Sequence, residues 1–495
     1  VTALLATLGS ALLYGAAVPP LALAPLGWVM LAPFFAAASG VPPRRAALLG
    51  LVWGTVATWA TAWWLPGMLG NFFRLGEVVR WSTFVAVAVG SAGLHFAAFG
   101  AWLSWLARRG RVHPFVVAAG WTAAELARAR LGLANPWALA GYSQATVLPL
   151  VQIADLTGPY GLSFLVAATG AAAAGVGVHA LAGRRPIRAR LAVAAAVAAA
   201  LAYGTWRLRT PVEDGAPIRV AIVQGGIERR FGESLEPLVA ARRYAELTRT
   251  AAAFAPQLIV WPEYSVDVTL QQPSPTFETV RLLTRDLGAE LVLGAPLSRL
   301  ARNGTRHRNS VFLFRDGSLS GRADKLRLLP FAEATPAWWP HPPRGGQYEP
   351  GERAAPLRTA HGRVGPLVCV ESMHPELART QVVAGAEILA NLSNDYWFGD
   401  ASAARQQLHS ARMRAVETRR WMVRATPTGF SAAIDPFGRI VAESGWGTTE
   451  VLTTVVRPAR ATTTYVRWGD AFAWSAAAVA AGAAALALTA RGRPQ

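Results

Sequence analysis

Residues 365–371 read G-P-L-V-C-V-E, an apolar run that closes on Cys369, the only cysteine among 495 residues. Flanked by charged and turn-forming residues, G-P-L-V-C-V at 365–370 reads as a buried strand, and five other runs share its character. These are I-R-V-A-I-V-Q at 218–224, Q-L-I-V-W at 257–261, E-L-V-L-G-A at 290–295, S-V-F-L-F at 310–314 and E-I-L-A-N-L at 387–392. Helix-like stretches around 235–254, 276–286, 375–384 and 403–420 lie between several of them. Strands alternating with helices predict an α/β domain whose sheets are covered. Functional groups in such domains collect at strand ends. Cys369 falls there, and so does Glu263 in V-W-P-E-Y at 260–264.

A second rare residue accompanies the cysteine. Lys325, in G-R-A-D-K-L-R-L-L-P-F-A-E, is the only lysine, although Lys and Arg together number 48. Nearly every positive charge has been written as arginine. Lysine is a compact point charge that fits against one developing oxyanion, whereas arginine is a rigid planar fork.

The rest of the chain is too apolar for an ordinary soluble enzyme. With 53% hydrophobic residues, it contains stretches near 2–18, 21–39, 46–68, 81–106, 112–127, 161–181, 191–206 and 471–490 that approach the roughly 20 apolar residues a membrane helix needs. About eight spans are therefore expected. Arg44 and Arg45, then Arg108, Arg109 and Arg111, then Arg184, Arg185, Arg188 and Arg190, then Arg491 and Arg493 mark alternate connections. By the positive-inside rule these lie in the cytoplasm, which puts the long segment from about 207 to 468 on the opposite side. The expected organisation is a transmembrane bundle over 1–206, an extracytoplasmic domain over 207–468, and a last span with a cytoplasmic tail over 469–495. No removable signal peptide is expected before the first apolar run, because no charged n-region or cleavage pattern precedes it.

The net charge of +19 does not read as nucleic-acid binding, because the arginines sit in short groups between apolar runs instead of on one basic face. One cysteine excludes an intramolecular disulfide. Glu125, inside the fifth apolar stretch, is an ionisable group at membrane depth and either functions there or pairs with Arg128. The segment after it, N-P-W-A-L-A-G-Y-S-Q at 135–144, suits a re-entrant loop.

The chemistry follows from the rare residues. A thiol is mostly protonated near neutral pH, and the thiolate is the attacking species. A carboxylate can take the proton, and a fixed cation can favour the thiolate and then hold a tetrahedral oxyanion. Glu263, Lys325 and Cys369 supply these groups. A Cys–His pair has less support, since His361 and His374 flank the cysteine at a distance and read as surface turns. Metal binding has less still, because one Cys and scattered His give no ligand spacing.

W-P-E, then D-K-L-R-L-L-P-F-A-E, then V-C-V-E, in that order, resemble the carbon-nitrogen hydrolase (nitrilase) superfamily. The membrane portion narrows the resemblance to the apolipoprotein N-acyltransferase family. It is carried also by the 135–144 loop, Q-I-A-D-L-T-G-P-Y-G-L-S-F-L at 152–165, V-A-I-V-Q-G at 220–225, N-L-S-N-D-Y-W-F-G at 391–399, R-A-V-E-T-R-R at 414–420 and T-Y-V-R-W-G-D at 464–470. The resemblance implies an αββα sandwich beside the membrane bundle, in a bacterial inner membrane with the catalytic domain on the periplasmic face. It implies Cys369 as acylated nucleophile, Glu263 as general base and Lys325 as oxyanion cation, with Glu333 and Glu371 in support. It implies a phospholipid acyl donor, a diacylated apolipoprotein acceptor, contact with membrane lipid, and no cofactor. Asn391, Ser393, Asn394 and Asp395 are loop formers expected near the pocket. Trp338 and Trp339 form an aromatic tip suited to a lid or to acyl-chain contact. Two positions depart from the family pattern: Val370 stands where an aromatic is frequent and Pro427 where an asparagine is usual. The alternatives are a membrane-tethered hydrolase of small amides or nitriles, in which water replaces the amine, and an inactive scaffold that holds lipoproteins.

Overall fold

A computed structural model of the chain describes residues 1–110, 112–176, 185–212, 215–227, 236–270, 273–301, 304–335 and 348–489. Trp338 and Trp339 lie outside the described residues. The chain forms two compact units, one of Val1–Pro66, Gly76–Thr210 and Trp468–Gln495, the other of Gly67–Leu75 and Pro211–Arg467.

The first unit is helical. Among the described residues, Glu77–Ala107, Ile187–Arg207 and Ala471–Thr489 are long and apolar enough to cross a membrane. Two bent pairs, Pro43–Thr61 with Leu65–Asn71 and Leu148–Thr157 with Pro159–Ala173, raise the number to five if each is one span. The eight stretches chosen by hydropathy each carry helix, but several are short. Thr2–Ala17 has 16 residues, and Pro114–Arg130 has 17 and includes Glu125, Arg128 and Arg130. Glu125 is buried, and its Oε1 accepts the Ala140 N–H at 2.8 Å, while the Arg128 guanidinium donates to the Ala138 carbonyl at 3.4 Å. Both charged groups thus bind the backbone of the 135–144 segment.

Aromatic side chains fill the middle of this unit. The Trp53 and Trp121 rings meet edge to face at 5.0 Å, Phe96 stacks on Trp121 at 4.6 Å, and the Trp53 indole N–H donates to Ser10 Oγ at 3.0 Å. Each such ring needs a partner for its polar handle, and Trp53 has one. Where helices come closest a glycine sits: a Cβ on Gly50 would lie 2.0 Å from the Phe96 carbonyl oxygen. Small residues at contacts are how apolar helices pack when water supplies no driving force.

The second unit holds two six-stranded sheets. In chain order the strands are β1 Ile218–Gln224, β2 Leu258–Val260, β3 Glu290–Ala301, β4 Gly304–Arg315, β5 Ser318–Asp324, β6 Leu357–Thr359, β7 Gly362–Val368, β8 Ile388–Leu392, β9 Met422–Ala425, β10 Ala432–Ile434, β11 Ile440–Glu443 and β12 Glu450–Val456. One sheet runs β12-β1-β2-β3-β4-β5 and the other β11-β10-β9-β8-β7-β6. Each has a parallel centre, β1-β2-β3 in one and β7-β8-β9 in the other, bordered by antiparallel strands. Among the described residues the helices that pack on the sheets include α1 Pro237–Thr250, α2 Pro275–Leu287, α3 Pro375–Val383 and α4 Ala401–Thr418.

Period-two alternation sorts the side chains into layers. Val220, Ile222, Val260, Val292 and Leu313 of the first sheet meet Val364, Val368, Ile388, Ala390 and Val423 of the second in one core. Their neighbours Ala221, Val223, Ile259, Leu291 and Leu293 face the other way, against Tyr244 and Ala245 of α1 and Val280 and Leu283 of α2. Leu367, Leu389 and Met422 likewise pack on Ala378 of α3 and Leu408 and Ala411 of α4. The result is helix, sheet, sheet, helix. Central strands buried on both faces must be apolar throughout, which is why β1, β2, β7 and β8 stand out in the sequence.

Two boundaries differ from expectation for a stated reason. The run expected as strand to residue 370 ends at Val368, because Cys369 takes φ +55° and turns the chain into a short 3-10 segment, Cys369–Met373. His374, expected on a surface turn, is buried at the start of α3 with its Nδ1 3.7 Å from Glu376 Oε1. Gly294 on β3 makes room for the turn after β2: an added Cβ would sit 2.6 Å from Glu263 Cα and 2.8 Å from the Pro262 carbonyl oxygen. Backbone cannot yield as a side-chain tip can, so Gly294→Ala should cost about 1–3 kcal/mol of stability. Chemical denaturation of the detergent-solubilised protein measures this, and an unchanged midpoint would show that the turn is not held against β3.

Candidate active site

Three strand ends deliver the rare residues to one place. Glu263 lies three residues past β2, Lys325 directly after β5, and Cys369 directly after β7. The Lys325 ammonium lies 2.9 Å from Glu333 Oε2 and 3.6 Å from Glu263 Oε1. Asn309, on β4, bridges the same two carboxylates, its Nδ2 donating to Glu263 Oε1 at 2.7 Å and to Glu333 Oε1 at 3.0 Å. Glu333 also accepts the Leu329 N–H at 2.7 Å, closing its own loop. Sequence reasoning missed Asn309; an amide in the middle of R-N-S-V-F-L-F, where a buried strand wants apolar groups, was the available signal.

The cluster is almost dry: Glu263 is 4% exposed, Lys325 2% and Cys369 7%. Burial alone would lower the Lys325 pKa, but the carboxylates of Glu333 and Glu263 outweigh it and hold the ammonium well above its ordinary value. Burial raises the Glu263 carboxyl, Lys325 pulls it back, and the like charge of Glu333 raises it again. The Cys369 thiol is pushed up strongly, first by burial and then by Glu263, with Lys325 opposing. At rest the sulfur is a thiol, not a preformed thiolate. The thiol lies close enough to lower the proton affinity of Glu263, and among the described residues Glu263 Oε2 is buried with no hydrogen-bond partner, so it can take a proton.

Glu371 has a different task. Its Oε1 accepts the N–H groups of Leu326 at 2.6 Å and Arg327 at 2.9 Å, and its Oε2 accepts that of Val368 at 2.7 Å. It therefore ties the loop after Lys325 to the turn that carries Cys369. Burial pushes its carboxyl up to about 7 against the pull of the Val368 N–H, Lys325 and the other two N–H groups. A second network lies behind the nucleophile. The Asn391 amide donates to the carbonyls of Leu367 at 2.9 Å and Cys369 at 3.2 Å. Arg424 donates in turn to Asn391 Oδ1 and to Asp395, with no exposed surface on Arg424 or Asp395. Ser393 donates to Asp395 at 2.8 Å. Asn391 and Ser393 are thus enclosed beneath the site, whereas Asn394 reaches a cleft.

That cleft encloses about 340 Å³, counted with the open solvent at its mouth, and is lined by Glu263, Asn394, Tyr264, Asp267, Tyr244 and Pro427 among others. Of the three clustered residues, Glu263 lines it. Three residues near the site, Tyr264, Phe331 and Cys369, hold positive φ without being glycine. Such backbone costs of order 1–3 kcal/mol each and persists only where surroundings enforce it. Among the described residues no group of His, Cys, Asp and Glu is arranged to hold a metal ion.

Residues 219–465 match the carbon-nitrogen hydrolase family model, and residues 10–172 match the model of the apolipoprotein N-acyltransferase N-terminal domain. Apolipoprotein N-acyltransferase of Geobacter metallireducens is 34% identical over 97% of this chain and 94% of its own length. That of Azotobacter vinelandii is 32% identical over 95% of this chain and 92% of its own length. The solved Saccharomyces cerevisiae Nit3, a member of branch 10 of the nitrilase superfamily, is 23% identical, covers 50% of this chain and 93% of its own, and superposes with a TM-score of 0.40. With a relative this similar along nearly its whole length, this chain belongs to the apolipoprotein N-acyltransferase family.

Proposed function

We propose that the protein transfers a fatty acyl chain from a phospholipid, through a thioester on Cys369, to the N-terminal amine of a diacylglyceryl-cysteine at the start of an apolipoprotein. The observation that carries this is the unpaired, buried Glu263 Oε2 beside the Cys369 thiol, with the Lys325 ammonium 3.6 Å from the other oxygen of that carboxylate. Glu263 takes the thiol proton as sulfur attacks the ester carbonyl. The negative charge moves to the carbonyl oxygen, where Lys325 opposes it. Collapse expels the lysophospholipid alkoxide, which recovers the proton from Glu263 and leaves the acyl group on sulfur. The thioester keeps the acyl group reactive, so the second step needs no nucleotide. Attack by the amine forms the C–N bond, breaks the C–S bond and returns the thiol.

Glu333 holds Lys325 in place and Glu371 holds the two loops in register. Eight passes by the first unit, cytoplasmic arginine loops, and residues 207–468 on the periplasmic face of a bacterial inner membrane complete the reading. Apolar helices and the arginine distribution support it, and a lipid environment suits two lipid-anchored substrates. Trp338, Trp339 and Asn394 remain the proposed lipid contacts.

The decisive experiment is mass spectrometry of the purified protein after incubation with phospholipid. A fatty-acyl adduct on Cys369 that disappears on adding a diacylated lipopeptide is expected; an adduct discharged by water alone would favour a hydrolase, and none at all a scaffold. Cys369→Ser should keep the fold and lose transfer by a factor of at least about 100. Acyl-enzyme formation should gain rate as pH rises through the raised Glu263 pKa, putting its acid limb above the ordinary 4.5. Because the Glu333 charge raises that pKa, Glu333→Gln should slow the step and move the limb to lower pH. A rate loss with an unmoved limb would leave Glu333 a purely structural part. Glu371→Gln turns an amide NH2 toward one of three N–H donors and should cost about 1–3 kcal/mol of stability together with most of the activity. Full activity in that variant would separate the Lys325 loop from the placement of Cys369.

A further inference from the structure

The sulfur of Cys369 faces away from the side that its strand prescribes. Along β7 the side chains alternate, Val364 and Val368 into the core between the two sheets and Leu367 into the layer against α3 and α4. One more residue of strand would point Cys369 the same way as Leu367, toward the helices. Cys369 belongs instead to the core between the sheets, because its φ of +55° breaks the alternation. Glu263 and Lys325 follow β2 and β5 of the first sheet, so they reach the cysteine from that side. The left-handed turn is therefore what brings nucleophile, base and cation together. It is also a conformation that a β-carbon disfavours, so something must hold it.

Leu367, Asn391 and Arg424 stand at one register level across the parallel strands β7, β8 and β9. The Asn391 amide nitrogen donates to both carbonyls that flank Val368, at 2.9 Å to Leu367 and 3.2 Å to Cys369. Carbonyls only accept and a guanidinium only donates, so the amide has one orientation, oxygen toward Arg424 and nitrogen toward the turn. Arg424 is as firmly placed. Its Nη2 donates to the two oxygens of Asp395 at 2.8 and 2.7 Å and to Gln407 Oε1 at 3.1 Å, and its Nε donates to the Phe430 carbonyl at 3.2 Å. Asn391, Asp395 and Arg424 have no exposed surface. A buried ion pair is a poor device for stability alone, since apolar side chains of similar volume often serve as well. Here it gives the amide a direction. Resting on the reading of Cys369 as the nucleophile that takes the acyl group, we infer that Asn391 is a positioning residue of the reaction: oriented by the Arg424–Asp395 pair, it locks the turn that carries the sulfur to Glu263 and Lys325. Ser372 Oγ, which donates to the Cys369 carbonyl at 3.3 Å, and Glu371, which accepts the Val368 N–H, add to the grip on the same turn.

Two variants of the full-length protein test this. Asn391→Asp, of the same size, keeps an oxygen for Arg424 and removes both donors to the turn. Arg424→Lys keeps the buried charge but cannot reach Asn391, Asp395, Gln407 and the Phe430 carbonyl at once. Because Cys369 is the only cysteine, alkylation by iodoacetamide reads its sulfur without any lipid. In Asn391→Asp the maximal rate of acyl-enzyme formation from phosphatidylethanolamine, taken per site that acylates, should fall about tenfold to a hundredfold. The phospholipid concentration that half-saturates loading should not move, and alkylation should slow by a similar factor. Arg424→Lys should fall between that variant and the wild type on both readouts. Less folded protein with an unchanged loading rate per acylated site would make the two residues parts of the scaffold alone and overturn the inference. A weaker half-saturation at an unchanged maximal rate would assign Asn391 to substrate binding and overturn it as well, as would wild-type loading in Asn391→Asp. Wild-type protein whose sulfur is alkylated but never acylated would sink the acyl-transfer reading, and the alkylation series would still decide this inference.

Discussion

An ammonium held between two carboxylates in a nearly anhydrous place is the constraint around which the second unit is arranged. Taking three charges out of water is costly, and the arrangement survives only if each charge is paired and each remaining lone pair is given a donor. Asn309 and the Leu329 N–H give Glu333 its donors, and Asn309 gives Glu263 one of two. Among the described residues two acceptors of the cluster are left open, Glu263 Oε2 and Asn309 Oδ1. A cluster of paired charges thus carries its unmet hydrogen-bonding demand on one carboxylate oxygen and on the amide that bridges it to Glu333.

The same arithmetic explains why lysine was kept while every other cation became arginine. Lysine concentrates its charge on one nitrogen with three rotatable donors, whereas arginine spreads it along a planar fork. With carboxylates flanking it, Lys325 stays charged in spite of burial. Arginine at that position would span the gap between Glu263 and Glu333 in a fixed geometry and leave nothing free to move.

Legibility in the sequence followed burial and rarity. Strands enclosed on both faces, such as Ile218–Gln224 and Ile388–Leu392, are apolar but for Arg219, Gln224 and Asn391 and could be read directly. The outer strands could not. Ser318–Asp324 alternates exposed and half-buried positions, and Ala432–Ile434 is only three residues long, so neither breaks from the surrounding loop in composition. Rarity singled out Lys325 and Cys369, and family resemblance brought in Glu333 and Glu371. Asn309 carried only the weak signal of an amide beside an apolar run, and Arg424 none, because one arginine among dozens is ordinary until the fold encloses it. Hydropathy registers apolar composition, and a broken or 16-residue helix has that composition without the length, so by length and composition three to five of the eight stretches stand as spans among the described residues.

A nitrilase-like scaffold performing transfer instead of hydrolysis must solve a problem of competition. Both reactions pass through the same thioester, and water, at molar concentration, is always the more abundant nucleophile. Glu263, Lys325 and Cys369 are nearly inaccessible, and the cleft that Glu263 lines has an apolar wall. Exclusion of water preserves a thioester but does not discharge it, so transfer depends on binding, more than on intrinsic reactivity, to decide which nucleophile is present when the thioester is.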